Sequence, residues 1–277
     1  MNIALNRLIT NYIFKPHMGK RFLVIIGDHV SKEIVNSGCY ERPLIKFLIK
    51  NKHIFCTNKR GAFIDIGANI GNHSIMLAEY FNMVASVEPN TFCAKCIELN
   101  YELNNIENIK VFKVGLGMQR SKMRLIIPTD DFSSGYVSDN KSNVDNVDVS
   151  VQEVDVITLN DLDKKVSEDI SFIKIDAEGM ERDIIASGDL FFKSHQPLVA
   201  FEAHGERAYC EVRDELSTHK YKFFYKLTQS RRLFKNRLLN IIAFTLFPDY
   251  VKVESILEPS DTNYQMVLAS VTELNLR

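Results

Sequence analysis

Residues 62–71 read AFIDIGANIG. The first five are apolar apart from Asp65, the pattern of a strand buried on both faces of a parallel sheet. The last five form a glycine-containing turn, and the following residues read as a helix over about 72–80. A strand, a tight turn and a helix make up the repeating unit of open α/β sheets, which bind ligands at such turns, outside the carboxyl ends of their strands. Gly67 lets the backbone turn with no Cβ in the way, and Gly71 allows close packing of helix on strand. Asn69 tolerates left-handed backbone angles better than most residues. The spacing is D-x-G-x-N-x-G, whereas a dinucleotide fingerprint reads G-x-G-x-x-G. Asp65 puts a carboxylate beside the turn, which suits a cationic ligand better than a pyrophosphate.

The same rhythm extends outward. Residues 83–87 (MVASV) read as a second strand ending at Glu88-Pro89-Asn90, with Thr91 as the cap of a helix over about 92–104. Residues 109–114 read as a third strand, closed by Gly115 and Gly117. Met123–Ile127 and Val147–Val151 read as strands of a β insertion within 118–157, with a polar loop at 129–146. Strand 171–176, helix 180–187, strand 198–202 and helix 206–219 follow, and strand 221–227 is expected to pair antiparallel with 264–270. The expectation is an α/β fold, a mostly parallel sheet with helices on both faces.

Composition narrows the class. The chain has 277 residues, 45% of them hydrophobic, which suits one large α/β domain with an extension. The formal net charge of -1 hides a split. Residues 1–60 carry 11 Lys/Arg against 3 Asp/Glu, and 61–218 carry 14 against 27. Residues 219–240 carry 7 against none. Residues 1–60 therefore read as a basic N-terminal extension, with a helix at 42–50, ahead of a domain over 61–277. The five cysteines are odd in number, which points to no disulfide framework and to a reducing compartment. Cys93 and Cys96 have the spacing of half a zinc site without a second half, and read as small residues on one helix face. No stretch is long enough to span a membrane, and the N-terminus lacks a signal-type apolar core. The default placement is cytoplasmic. A basic run at 231–237 beside the apolar run 238–247 permits peripheral contact with the inner membrane face, or packing as a core helix or a dimer contact.

Three further places carry chemistry. Glu88 ends the second strand, where a carboxylate can accept hydrogen bonds from both hydroxyls of a ribose. Together with the glycine turn it points to a nucleoside-type ligand. Residues 172–181 (FIKIDAEGME) put Lys174, Asp176 and Glu178 at the end of an otherwise apolar strand, where charge is costly unless paired or used. Glu181 falls in the first helical turn and suits the helix dipole. Residues 201–204 (FEAH) put Glu202 and His204 at the end of the next strand, and His204 is a candidate general base. Asp176, Glu202 and His204 are also donor types able to hold a divalent cation, a weaker reading than a metal-free site.

FIDIGANIGNHSI, VEPN, FIKIDAEGMERDII and VAFEAHG, in that order, resemble the FkbM family of S-adenosylmethionine-dependent methyltransferases over about 62–205. The resemblance implies the class I methyltransferase (Rossmann-like) fold: a seven-stranded sheet whose last strand is antiparallel. It implies that Asp65, Gly67, Ala68, Asn69 and Gly71 line the methionine side of the cofactor and that Glu88 takes its ribose. Gly115 and Leu116 would then face its adenine; the family's usual Ala-Leu-Gly is Gly115-Leu116-Gly117 here. It further implies O-methylation of a sugar or glycan hydroxyl, with a small polyketide-type acceptor as the alternative. Asp176 or His204 is then the base, with Glu178 and Glu202 orienting the acceptor. A nicotinamide-dependent oxidoreductase is the less favoured enzyme class, because the turn lacks its fingerprint. No nucleic acid is expected as partner: the turn after strand 171–176 reads Asp176-Ala177-Glu178-Gly179, not the Asp/Asn-Pro-Pro-aromatic turn common in base amino-methylation. The basic flanks permit an anionic acceptor, and a homo-oligomer is left open.

Overall fold

The computed structural model describes residues 18–25, 28–56, 61–128, 135–138, 149–229, 250–260 and 262–276. Its centre is β1 (Ala62–Ile66), all five residues of which are buried. β1 pairs in parallel with β2 (Met83–Val87) on one side and β8 (Ile170–Ile175) on the other. β3 (Ile109–Phe112) extends the first side, and β9 (Leu198–Ala203) the second, both parallel. Beyond β9 lie β12 (Tyr264–Ser270), β10 (Phe223–Gln229) and β11 (Val251–Ser255), each antiparallel to its neighbour. The order is β11-β10-β12-β9-β8-β1-β2-β3. The strand reversed between β9 and β10 identifies the class I methyltransferase fold.

The sheet has eight strands where seven were expected. β11 adds itself to the outer edge of β10, pairing Gln229 with Val251 and Tyr225 with Ser255. It is short and half-buried: Val251 and Val253 turn to the core side, while Lys252 and Glu254 are exposed. That alternation over five residues is too brief to stand out in sequence.

Helices cover both faces. On one side, α2 (Arg42–Lys50) presses Leu44, Phe47 and Leu48 onto Phe63, Phe172 and Tyr225. Its boundaries are those expected from RPLIKFLIK. α1 (His29–Ser37) precedes it, capped by Asp28 through a 2.7 Å bond from the Ser31 amide and stopped by Gly38 at φ 90°. On the same face Phe63, Phe172, Phe55 and Phe81 stack, with the Phe63 and Phe172 rings 4.9 Å apart. α3 (Asn72–Leu77) and α4 (Thr91–Leu103) follow β1 and β2. Asn90, not Thr91, caps α4: its carboxamide accepts from the amides of Phe92 and Cys93, whereas the Thr91 hydroxyl bonds Gln152 at 3.1 Å. α5 (Leu159–Val166), α6 (Glu181–Ala186), α7 (Asp189–Ser194) and α8 (Gly205–Thr218) complete the layers.

The insertion is a second sheet. β4 (Gly115–Leu116), β5 (Ser121–Pro128), β6 (Tyr136–Ser138) and β7 (Val149–Ile157) run in the order β4-β7-β5-β6. β7 reaches six residues beyond the expected Val151, because it pairs with all of β5 and then with β4. The third strand of the main sheet stops at Phe112 for the same reason: Gly115 and Leu116 have already crossed to this second sheet. Most of the polar loop, and the whole 231–247 segment, lie outside the described residues. Among the described residues no helix is long and apolar enough to cross a membrane. None of the five cysteines forms a disulfide, and Cys93 and Cys96 are buried neighbours on α4.

Replacing Phe172 by Ala removes the ring shared by three stacked neighbours and opens a cavity under β1. The expected loss is about 3–5 kcal/mol, read as a lower midpoint in urea unfolding with an unchanged slope.

Candidate active site

The turn after β1 takes the conformation its residues permit. Gly67, Asn69 and Gly71 all have positive φ, at 71°, 54° and 88°. The amides of Gly67 and Ala68 both donate to the Val87 carbonyl, at 3.0 and 3.1 Å, which ties the turn to the end of β2. A Cβ on Gly67 would be driven into the carbonyl of Asp176, so β1 and β8 approach as closely as backbone allows only because residue 67 is glycine. Gly71 faces the other way, onto Ile97 of α4, and packs the helix without touching the cavity.

Glu88 is 7% exposed and closes the same corner. Its Oε2 accepts from the Asn69 amide and its Oε1 from the Asn90 amide, both at 2.8 Å. Each oxygen keeps a second lone pair for a ligand hydroxyl. Burial pushes the Glu88 carboxyl up to about 7, against the pull of these two amides.

Across the cavity, Lys174 projects from β8 and is 5% exposed. Its Nζ bonds Asp176 Oδ2 at 2.9 Å and lies 3.9 Å from Asp65 Oδ1. Burial opposes its charge, but Asp176 and Asp65 outweigh that and hold it above the usual lysine range. Burial likewise works against the Asp176 carboxylate, yet Lys174 keeps it below the usual range. Glu202, from β9, stands beside Asp176, the two residues following the paired Ile175 and Phe201. Burial first, and then Asp176, push its carboxyl up to about 9. Glu178 is left-handed at φ 49°, and burial raises its carboxyl too.

These groups surround a cavity of about 280 Å³ at the carboxyl ends of β1, β2, β8 and β9. Gly67, Ala68, Asn69, Glu88, Gly115, Leu116, Asp176, Glu178 and Glu202 all line it. Three expected residues do not. Asp65 is fully buried behind the turn, where it accepts from Ser74 Oγ at 2.6 Å and faces Lys174. Gly71 packs on α4. His204 follows the last residue of β9, at the N-cap of α8; its side chain is 56% exposed, with Nε2 3.8 Å from Glu202 Oε1. Strand alternation would have put it on the cavity face beside Glu202, but the strand ends at Ala203 and the chain turns at Gly205, φ 89°. Glu181 is a loop anchor: its Oε1 accepts from the amides of Ala177 and Gly179.

The cavity also holds residues that the sequence did not single out. Tyr40 comes from the turn between α1 and α2, and the Asn72 side chain clamps both its backbone groups at 2.9 Å. Burial, then Glu41, Asp176 and Glu202, push its phenol well above the usual range. His73 lines the wall 3.4 Å from Glu41. Asn72 and His73 directly follow Gly71, so their proximity was legible; nothing in residues 38–41 marks Tyr40. Tyr136 of β6 and Leu125 of β5 bring the second sheet to the rim. Among the described residues no three His, Cys, Asp or Glu side chains are grouped to hold a metal ion. Asp176 is engaged by Lys174 and His204 faces outward, so the set with Glu202 does not converge.

Residues 65–223 match the profile of the family described as methyltransferase FkbM domain. No curated protein matches the chain. Solved structures that match include FkbM methyltransferase from Methylobacillus flagellatus KT, at 19% identity and TM-score 0.44 over 59% of this chain and 39% of that one. The chain thus spans about two fifths of that protein's length. Precorrin-6y C5,15-methyltransferase from Geobacter metallireducens GS-15 matches at 13% identity and TM-score 0.43, over 90% and 94% of the two chains. A protein from Streptococcus mutans described as a methyltransferase, in complex with SAH, matches at 11% identity and TM-score 0.43, over 80% and 97%.

Glu88 links stability to pH. Its folded value of about 7 stands above the ordinary 4.5, so its contribution is fully present below pH 4.5 and is lost as pH rises through 7. The expected loss over that window is about 3 kcal/mol. Glu202 adds a slope of the same sign, so the check is the difference between wild type and Glu88→Gln in urea unfolding from pH 4.5 to 8. The variant should lose less stability over this range.

Proposed function

The chain belongs to the FkbM methyltransferase family, and from that premise we propose that it is an S-adenosylmethionine-dependent O-methyltransferase acting on a sugar or glycan hydroxyl. The observation that carries the reading is the arrangement at one end of the sheet. A glycine turn and Glu88 sit on one side of the cavity, and a carboxyl cluster that could face a cation sits on the other. A pyrophosphate would meet Glu88 and no unpaired Lys or Arg among the described lining residues, which disfavours a nicotinamide dinucleotide.

The residues present fit the cofactor. Gly67, Ala68 and Asn69 line the cavity where its methionine end would lie, and the free lone pairs of Glu88 suit both ribose hydroxyls. Gly115 and Leu116 also line it, where adenine would lie. When bound, S-adenosylmethionine supplies a methyl group activated by a sulfonium charge. The chain's part is to hold that charge, align the acceptor and remove a proton. Asp176, Glu178 and Glu202 are carboxyl groups in a confined site, where charge acts more strongly than in water. Alignment of the acceptor oxygen supplies much of the barrier reduction, and a positioned base contributes about 10²–10⁴-fold. His204, off the cavity wall, is set aside as the base, which leaves Asp176 of the two expected; Glu202, expected only to orient the acceptor, stands beside it as a second candidate.

A cytoplasmic site of action, at the membrane face if residues 231–247 bind lipid, belongs to the same proposal.

The direct test is transfer of labelled methyl from S-adenosylmethionine to fractionated glycans, lipid-linked oligosaccharides and nucleotide sugars. Label is expected in a hydroxyl ether of one fraction; label on nitrogen, or in nucleic acid, overturns the acceptor class. Glu88→Ala should weaken S-adenosylhomocysteine binding at least about tenfold, or about 1.4 kcal/mol, by calorimetry. Unchanged affinity removes Glu88 from the ribose site.

A further inference from the structure

Asp176 and Glu202 stand side by side at the cavity, each one residue beyond the paired Ile175 and Phe201 of the neighbouring strands β8 and β9. Two adjacent carboxylates repel, and one proton on the pair relieves the repulsion. Lys174 decides which partner carries it. Its Nζ lies 2.9 Å from Asp176 Oδ2, and it is almost fully buried. The ammonium therefore fixes the negative charge on Asp176 and leaves the proton on Glu202. The other groups that face Glu202 do not change this. Glu41, from the turn before α2, also disfavours ionisation. Tyr40 is kept neutral by burial. His204 Nε2 is 3.8 Å away but more than half exposed, so solvent screens it. Glu178 and His73 face Asp176 rather than Glu202. In the free protein at neutral pH the pair thus holds one proton and one negative charge.

A cation entering this cavity changes the balance. It stabilises a second carboxylate and expels the proton, while a neutral ligand of the same shape leaves the proton in place. We infer that Glu202 is the proton acceptor of the transfer, and that its proton and the cofactor's positive charge replace one another in the site. This rests on the cofactor reading above. The balance of the step is simple. An acceptor oxygen lone pair forms the O–CH₃ bond. The S–CH₃ bond breaks and its electron pair stays on sulfur, leaving a neutral thioether. The proton lost by the acceptor oxygen goes to the Glu202 carboxylate. The site then holds the same net charge before and after transfer, which spares it an uncompensated buried charge at either stage.

The consequence is visible without any acceptor. Binding of S-adenosylmethionine releases about one more proton than binding of S-adenosylhomocysteine. Glu88 also titrates near neutrality, but both compounds carry the same ribose, so its contribution cancels in the difference. Calorimetry at pH 7.5 in phosphate, HEPES and Tris, whose ionisation enthalpies differ, counts the protons for each compound. Wild type should show a difference of about one proton, and affinity for S-adenosylmethionine should rise up to about tenfold from pH 7.5 to 8.5 relative to S-adenosylhomocysteine. Glu202→Gln keeps a neighbour of the same shape beside Asp176 and should abolish the protein's share of that difference, while binding of S-adenosylhomocysteine persists and reports an intact fold. Asp176→Asn serves as a second variant: it leaves Glu202 without its charged neighbour, and should also shrink the difference. Equal proton counts for the two compounds in wild type overturn the inference alone. An undiminished difference in Glu202→Gln overturns the assignment to Glu202. Absence of binding by either compound overturns the cofactor reading and this inference with it.

Discussion

A lysine that can scarcely reach water holds the working end of this sheet together. Lys174 extends from a strand that is otherwise apolar, and an isolated ammonium there would cost several kcal/mol or more. Asp65 from β1 and Asp176 from the end of β8 compensate it. Asp65 in turn takes a hydrogen bond from Ser74, whose hydroxyl also meets Ser86 of β2 at 2.7 Å. One buried charge thereby engages three adjacent strands and helix α3 at the point where their loops diverge. Removing Lys174 would strip both buried acids of their shared cation, so the arrangement resists piecemeal change. It also divides the labour: Asp65 stays behind the turn as a counter-ion, and Asp176 turns the same pairing toward the cavity.

The close contact between Gly67 and the Asp176 carbonyl is the backbone counterpart of that ion pair. β1 and β8 converge at both levels, through a missing Cβ and through a shared ammonium. The cofactor-side turn and the carboxyl pair are consequently fixed relative to each other by the sheet rather than by flexible loops. Methyl transfer needs an in-line approach and tolerates little misalignment, so rigid strand ends are the natural place for both partners. The N-terminal segment packs on this frame through α2 and, at the cavity, through Asn72, the first residue of α3, which clamps Tyr40 by both backbone groups. A basic stretch that looked separate in sequence therefore contributes an aromatic wall to the cavity.

Much of this was legible because buried parallel strands are written as apolar runs. AFIDI, MVASV and SFIKI are such runs, and an acid or lysine inside one is a signal in itself, since chemistry rather than packing must explain it. Glu88, Asp176 and Glu202 stood out because each ends an apolar run, and all three line the cavity. Asp65 was found but misplaced: burial inside the strand and proximity to the turn look alike in sequence, and only the side chain's direction separates them. His204 failed for a related reason, because the period of two that carries Glu202 to the cavity stops one residue before it. Tyr40 had no signal at all. Its position depends on how α1 and α2 pack against α3, a contact between segments 32 residues apart, and no local pattern encodes it.

The charge split along the chain takes on a different meaning once folded. The acidic middle does concentrate carboxyls at the cavity, through Glu88, Asp176, Glu178 and Glu202. The basic N-terminal flank does not oppose them there. The residues of that flank on the cavity wall are His29, Val30 and Tyr40, with no Lys or Arg among the described lining residues from 1–60. Lys174, the one lysine among the described lining residues, is already engaged by two acids. A phosphate or carboxylate brought into this space would meet four carboxyl groups, with no spare cation among the described lining residues, where low dielectric strengthens repulsion from those that are ionised. A hydroxyl beside Glu202 or Glu178 meets the opposite situation, a hydrogen-bond acceptor already desolvated. Under the acceptor class proposed above, such a cavity favours an uncharged hydroxylated reacting end, with any anionic portion of the same molecule held outside it.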